Sequence, residues 1–359
     1  MNKKLLSLAI GAVLAAPMLA QADVKIGGTF NVSADYIDTA TGVTPTDTAK
    51  TWNVSSNSSF IQIDASEDLG GGMKGVATLQ QFFRLDGNAA TGASASSPYT
   101  TSRMTDGNAF VGLQTGLGLL KAGTHDTLAK QNGRDYDLFG NTLGDSRNLD
   151  VNNTRAPNVI AYVSPKMAGV TVAVAHVTNF DNSSTGASSP SQVKANSARV
   201  KYEGGPVVAG VAIDILNPGA SATADDETWL NVGAGMKFGS ARVVVFYQQH
   251  DNVGTATTAE KTTMGVGGSF GIGANDTIKA QVYKLTSSVT GSADVESTMI
   301  AVGYDHAFSK AFTGYVVYAQ TDNDAGIGSG MAGGGHGDNV AAIAGETQTG
   351  IGAGFKYSF

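Results

Sequence analysis

The sequence predicts an all-β fold: a closed antiparallel β-barrel of 16 strands that crosses a membrane. Three observations carry that prediction. Hydrophobic residues recur with period two, connections alternate between short and long, and the first 22 residues have the make-up of an export signal.

The N-terminal segment comes first. Lys3 and Lys4 form a positive stretch, Leu5 to Ala16 an apolar one, and Ala20-Gln21-Ala22 a small-x-small cleavage site. This is the pattern of a secretory signal, and its apolar part is too short to span a bilayer as a helix. Cleavage before Asp23 leaves 359 − 22 = 337 residues. No linker, charge block or composition shift divides residues 23–359, which are read as one barrel domain. Gly is abundant (47), Pro scarce (8) and Cys absent, so an exported chain has neither disulfides nor thiolates to work with. Removing two lysines moves the formal charge from −7 to 21 − 30 = −9. An acidic balance argues against nucleic acid as a partner. Mean hydropathy is near neutral, at −0.04. No apolar run after Asp23 approaches the length of a membrane helix; Val207 to Ile213 is the best available.

The strands are read from alternation, because successive side chains of a strand point to opposite faces. Val24, Ile26, Phe30, Val32, Ala34 and Tyr36 alternate with Lys25, Thr29, Asn31, Ser33 and Asp35. Further along, Ala198, Val200 and Tyr202 oppose Arg199, Lys201 and Glu203. Leu230, Val232, Ala234, Met236 and Phe238 oppose Trp229, Asn231, Gly233, Gly235 and Lys237. Ile278, Ala280 and Val282 oppose Lys279, Gln281 and Tyr283. Ile300, Val302, Tyr304 and Phe308 oppose Ala301, Gly303, Asp305 and Ala307, with His306 the odd residue on the apolar side. The chain closes on Ile351, Ala353, Phe355, Tyr357 and Phe359. The 16 runs centre near residues 30, 58, 79, 111, 122, 160, 174, 199, 211, 233, 245, 265, 281, 302, 316 and 353.

Short connections are expected at Ser66–Gly72, Gly116–Gly118, Pro165–Gly169, Gly204–Gly205, Gly239–Ser240 and Gly271–Asn275. Long polar ones are expected at Asp86–Asp106, Asp126–Arg155, Asn179–Lys194 and Asp322–Glu346. Short turns at one rim and long loops at the other are the layout of a membrane barrel. Lipid cannot satisfy an open sheet edge, so the strands must close on themselves. A barrel this wide has a water-filled interior, which accounts for polar inward faces. A soluble sandwich would show the same alternation; the length of the runs, their aromatic ends and the short-long rhythm weigh against it.

Several stretches resemble the Gram-negative general porins, the trimeric porins of proteobacteria. Ser66-Glu67-Asp68-Leu69-Gly70-Gly71-Gly72-Met73-Lys74 is similar to the family's S-E-D-L-G-x-G-L-K first periplasmic turn. Ala109-Phe110-Val111-Gly112-Leu113, followed by Gly118 and Gly123, resembles its A-F-V-G-L hairpin. Asn158-Val159-Ile160-Ala161-Tyr162-Val163-Ser164-Pro165 with Gly169 resembles N-S-V-x-Y-x-S-P. The resemblance runs from Val24 to Phe359. It implies a channel in the cell outer membrane for ions and small hydrophilic solutes, built as a homotrimer among lipids that include lipopolysaccharide. The closing Phe359 is then the signal read by the barrel assembly machinery.

The same resemblance makes residues 126–155 the third loop, folded into the lumen as the constriction, with Arg134, Asp135, Asp137, Asp145 and Arg147 on it. Family pores set wall arginines against acids on this loop, and opposed charges sort solutes. The carry-over is incomplete: expected basic positions hold Phe60, Gly107 and Thr124, and Arg155 alone is kept. Arg84 shares parity with Gln80 and is expected to point inward as a substitute, as are Arg199, Lys201 and Lys279. These changes predict a pore less anion-favouring than relatives with a full arginine ladder.

No cofactor or metal is expected. His125, His176, His250, His306 and His336 lack metal-ligand spacing. Asp322-Asn323-Asp324-Ala325-Gly326 lacks the later ligands of a calcium loop and reads as a solvated loop. Gly265-Val266-Gly267-Gly268-Ser269 lies on an alternating strand with no following helix, so its small residues are expected to let neighbouring strands or barrels approach. No catalytic residues are expected: a barrel enzyme would need a nucleophile beside His125 and Asp126, and no motif supplies one. A substrate-specific channel, with Tyr99, Tyr136 and Phe139 contributing, is the nearer alternative.

Overall fold

A computed structural model of the chain describes residues 22–39, 50–87, 106–180, 193–217, 225–253, 259–331, 335–337, 340 and 342–359. The export segment and Tyr99 lie outside the described residues.

The strands are β1 Asp23–Asp38, β2 Lys50–Ser56, β3 Ser59–Gly70, β4 Met73–Phe83, β5 Ala109–Thr115, β6 Gly118–Asp126, β7 Arg155–Val163, β8 Val170–Val177 and β9 Lys194–Gly204. They continue as β10 Val207–Asn217, β11 Glu227–Phe238, β12 Ala241–Asp251, β13 Ala259–Ile272, β14 Asp276–Val289, β15 Val295–Ala307, β16 Phe312–Asn323 and β17 Gln348–Ser358. Apart from β2 and β3, each pairs antiparallel with its sequence neighbour, and β1 also pairs with β17, closing the ring. β2 and β3 both pair with β1 and form one stave, so the barrel has 17 − 1 = 16 staves.

The break between β2 and β3 is a bulge. Val32 faces Ser56 but Thr29 faces Phe60, one residue out of step. Ser58 absorbs the extra residue at φ 52°, and Asn57 N–H returns to the Asn31 carbonyl at 2.8 Å. At the seam, Gly28 and Phe359 exchange backbone hydrogen bonds of 3.0 and 3.1 Å. A Cβ on Gly28 would sit 2.4 Å from the Phe60 carbonyl oxygen, so only glycine fits where three chain segments meet.

The first short connection is tighter than the sequence suggests. Ser66–Gly70 belongs to β3, leaving Gly71-Gly72 as a two-residue turn with φ of 63° and 78°.

The period-two pattern divides the faces as expected. On β9, Val200 is 43% and Tyr202 39% exposed, while Arg199 and Lys201 turn the other way to Asp135. Phe308, Phe312 and Phe355 form a chain of rings at the short-turn rim, with centroids 5.7 and 5.4 Å apart. Such a girdle suits the membrane–water interface. His306 joins it, its Nδ1 2.7 Å from Asp276 Oδ1 and its ring against Phe308.

The face turned away from the exposed aliphatic one is less polar than expected. Val244, Phe246, Tyr283, Leu285 and Met299 pack there around Tyr136, Leu149 and Val151 from the segment between β6 and β7. Tyr315, Val317 and Ala319 pack around Phe139 and Leu143 of the same segment. A connection this long must bury apolar side chains to hold one conformation, so part of the wall is apolar to receive it.

Candidate functional site

The segment linking β6 to β7 is densely hydrogen-bonded and ion-paired. Helix α1, Leu128–Arg134, starts at Thr127, whose hydroxyl accepts from Lys130 N–H at 3.3 Å. A 3₁₀ turn, Ser146–Leu149, starts at Asp145, which accepts from Arg147 N–H at 2.9 Å, and ends at Asp150 with φ 60°.

Asp126, the last residue of β6, ties the segment's ends together. It is buried, and its carboxylate takes Arg155 Nε at 2.8 Å, Lys130 Nζ at 3.1 Å and Arg134 Nη1 at 3.1 Å. With Lys130 protonated, three cations on one carboxylate leave two positive charges in excess. Burial pulls the Lys130 ammonium down to about 7; Asp126 opposes the fall, and Arg155 and Arg147 add to it.

The rest of the segment is fastened to the wall by buried amides. Asn231 Nδ2 donates to the Ala129 carbonyl at 2.9 Å and its Oδ1 accepts from Asn132 at 2.7 Å. Gln248 donates to the Asp150 carbonyl at 2.8 Å and accepts from Asn152 N–H at 3.0 Å. Gln281 donates to the Gly144 carbonyl at 2.7 Å and accepts from Leu138 N–H at 3.0 Å. A loop has no strand neighbour to satisfy its backbone, so three strands each contribute an amide that both donates and accepts.

The loop's C-terminal corner has an ionic anchor. His250 on β12 lies 2.7 Å from Asp150 Oδ2 and 2.7 Å from Glu227 Oε1, and Lys261 reaches Asp150 Oδ1 at 3.0 Å. Burial raises the Asp150 carboxyl, but His250 and Lys261 outweigh it and hold it below the ordinary carboxylate range.

Close packing explains the wall glycines. A Cβ on Gly233 would lie 2.1 Å from the Tyr136 ring, and one on Gly210 2.2 Å from Asn132 Oδ1. Gly265 and Gly267 make room for Tyr283 and Leu138. Their small size seats a ring of the neighbouring strand and a side chain of the loop.

The residues expected at the site separate into groups. Arg155 and Arg134 meet at Asp126. Asp135 pairs with Arg199 and, at 3.0 Å, Lys201, while its carbonyl accepts from Arg242 at 2.7 Å. Lys279 pairs with Asp305 at 3.0 Å and lies over the Phe139 ring. Arg84 stands apart, 3.9 Å from Asp86. Asp137, Asp145 and Arg147 face into the segment itself. Asp137 accepts from Phe139 N–H at 2.8 Å, Ser146 N–H at 3.0 Å and Gln281 at 3.1 Å. Asp145 pairs with Arg147, which also donates to Asn141 Oδ1 at 2.7 Å. These three order the loop's own turn instead of opposing wall arginines.

Sequence reasoning took Asp126 as the loop's first residue and passed over Lys130, Arg242 and the role of the amides. Asn231 and Gln281 did stand on the non-apolar parity of their strands, which is the signal that finds them.

The connection between β16 and β17 corrects the reading of a solvated loop in part, since Asp324, Ala325 and Gly326 are exposed but Asp322 and Asn323 are not. Asp322 and Asn323 belong to β16, and Asn323 is buried, accepting from Ser297 Oγ at 2.7 Å and Ser329 N–H at 2.9 Å. Met331 joins the cluster around Phe139, and His336 Nε2 lies 2.9 Å from Asp35 Oδ2. Gly335 and Gly337 bond to Ser58 and Asn57 at the β2–β3 bulge. The bulge is thus a docking point for this second loop.

Known proteins share this architecture. Residues 7–326 match the family model described as Gram-negative porin. The chain is 27% identical over its full length to outer membrane porin protein 32 of Delftia acidovorans, which it covers completely. Over 52% of the chain it is 26% identical to major outer membrane protein P.IB of Neisseria lactamica, covering 53% of that protein. Among solved structures it resembles an anion-selective porin from Comamonas acidovorans, with TM-score 0.76 and 22% identity over 94% of this chain and 100% of that one. It also resembles OmpT, an outer membrane protein of Vibrio cholerae, with TM-score 0.70 and 15% identity over 96% and 100%. A closed 16-stave barrel and a family match across most of the sequence agree: the chain belongs to the Gram-negative porin family.

Proposed function

We propose that this porin is an anion-favouring diffusion channel of the outer membrane, narrowed by residues 126–155 lying across its lumen. The observation that carries the reading is the cluster at Asp126, where one carboxylate meets Arg155, Lys130 and Arg134. Arg199, Lys201 and Arg242 add a second cationic group around Asp135. Counting only the positions of the lost arginine ladder suggests a weaker preference for anions. The cations contributed from β9, β12 and α1 support the opposite sign. A fixed positive field in a narrow, partly desolvated passage lowers the barrier for anions and raises it for cations. The anion-selective porin from Comamonas acidovorans lends support by analogy.

The named relatives are porins and outer membrane proteins, which favours passive passage over catalysis. A trimer form recorded for OmpT supports a homotrimer. The pattern of residues 1–22 supports a cleaved export signal, and the terminal Phe359 supports delivery by the assembly machinery into a lipopolysaccharide-bearing membrane.

Reversal potential across a potassium chloride gradient in a planar bilayer tests the selectivity. Chloride preference is expected; potassium preference overturns the reading.

A further inference from the structure

A cavity of about 220 Å³ lies between α1 and the wall formed by β6 to β9. Its lining divides by chemistry. Cations stand at its two flanks, Lys121 on β6 and Arg199 and Lys201 on β9, where Lys201 also pairs with the lining Glu203 at 2.6 Å; between them β7 and β8 give a mainly aliphatic wall that includes Val159, Ala173 and Val177. On β11, β12 and β14 the corresponding face holds the amides that clamp the loop. On β7 and β8, apart from Arg155 and Thr171, it holds small apolar residues, and these line the cavity.

Lys121 is the distinctive member. Its ammonium contacts His125 Nε2 and the face of Phe110, 4.5 Å from the ring centroid. Among the described residues no carboxylate lies within ion-pair distance of it. His125 Nδ1 faces the Asp126 carbonyl at 2.6 Å and therefore carries the proton, leaving Nε2 to accept from Lys121. The imidazole thus orients the ammonium without neutralising it. Asp126, the nearest lining carboxylate in sequence, is already taken by three cations.

We propose that this cavity binds small organic monoanions that carry a carboxylate on a short apolar body. The carboxylate sits at Lys121, and the body lies against the aliphatic wall of β7 and β8. The volume corresponds to roughly seven water-sized groups, the scale of benzoate or hexanoate. Charge alone would not hold such a solute in a wet channel, and neither would this small apolar surface. Joined in one cavity, the two select amphiphilic anions over chloride or acetate. The site rests on the channel reading above but not on its bulk selectivity.

The test uses the purified full-length porin in planar bilayers, with benzoate, hexanoate and acetate added to chloride solutions. Saturable block by benzoate and hexanoate is expected, at concentrations at least tenfold below any effect of acetate. Lys121→Met should weaken that block at least tenfold, and Val159→Asn should weaken it while keeping the charge. Each variant is read against its own conductance in chloride. Absence of saturable block, equal block by acetate, or block unchanged in both variants overturns the proposal. The chloride reversal potential from the same membranes reports separately on the channel reading, so the two can fail independently.

Discussion

Arg155 Nε donates to Asp126 Oδ1 across 2.8 Å, joining the first residue of β7 to the last of β6. The pair closes a thirty-residue excursion at its base, and Lys130 and Arg134 reach the same carboxylate from α1. The charge cluster and the loop's anchorage are therefore one structure.

Asp126→Asn follows directly. The substitution leaves Arg155, Lys130 and Arg134 crowded together without their shared anion. Removing one partner of a buried ionic group costs about 3–5 kcal/mol, enough to release the base of the loop while the strands remain paired. Single-channel recordings should show higher conductance and frequent fluctuation, with the barrel's circular dichroism unchanged. Quiet openings of parental size would show that the base does not depend on this carboxylate.

The barrel was far more legible in the sequence than its interior. Of the 16 run centres, 15 fall inside observed strands and the one near 58 falls on the bulge joining β2 to β3, because lipid on one side enforces a strict alternation that a sequence displays directly. The bulge at Asn57-Ser58 was invisible: a single added residue leaves both flanking patterns intact, and its use as a docking point depends on Gly335 and Gly337, far along the chain. Family resemblance located the loop, but its charges were assigned by type alone. Whether Asp137 faces a pore or its own backbone depends on which amides lack partners, and that is decided by the fold. The inner apolar patches were likewise hidden, since Val244 and Phe246 sit in a continuous apolar run of β12 that masks their parity.

Gly233 offers a test of the loop's seat from the wall side. Its missing side chain is the space filled by Tyr136, and a Cβ there would stand 2.1 Å from the ring. Gly233→Ala must push Tyr136 off its contacts with Phe246 and Tyr283. Overpacking of this kind costs about 1–3 kcal/mol, borne by the loop because the sheet on the other side is bonded along its length. The variant should fold and insert, with a broadened distribution of single-channel conductances and faster proteolytic cleavage between residues 127 and 154. A parental conductance distribution with unchanged cleavage would place the seat elsewhere.

Lys130 makes selectivity depend on pH near neutrality. With its ammonium drawn down to about 7, lowering the pH from 8 to 6 adds one positive charge beside Asp126 and Arg155. Chloride preference should therefore strengthen as the pH falls, and Lys130→Met should remove that step. The linkage has a defined sign. A base whose folded value is depressed binds its proton more weakly when folded, so its contribution to stability increases as pH rises between about 7 and the unfolded lysine value of about 10.4. Loop anchorage should accordingly be firmer at pH 9 than at pH 7, seen as quieter open-channel current. A reversal potential flat between pH 6 and 8 in the parent protein would show that Lys130 keeps its charge throughout that range.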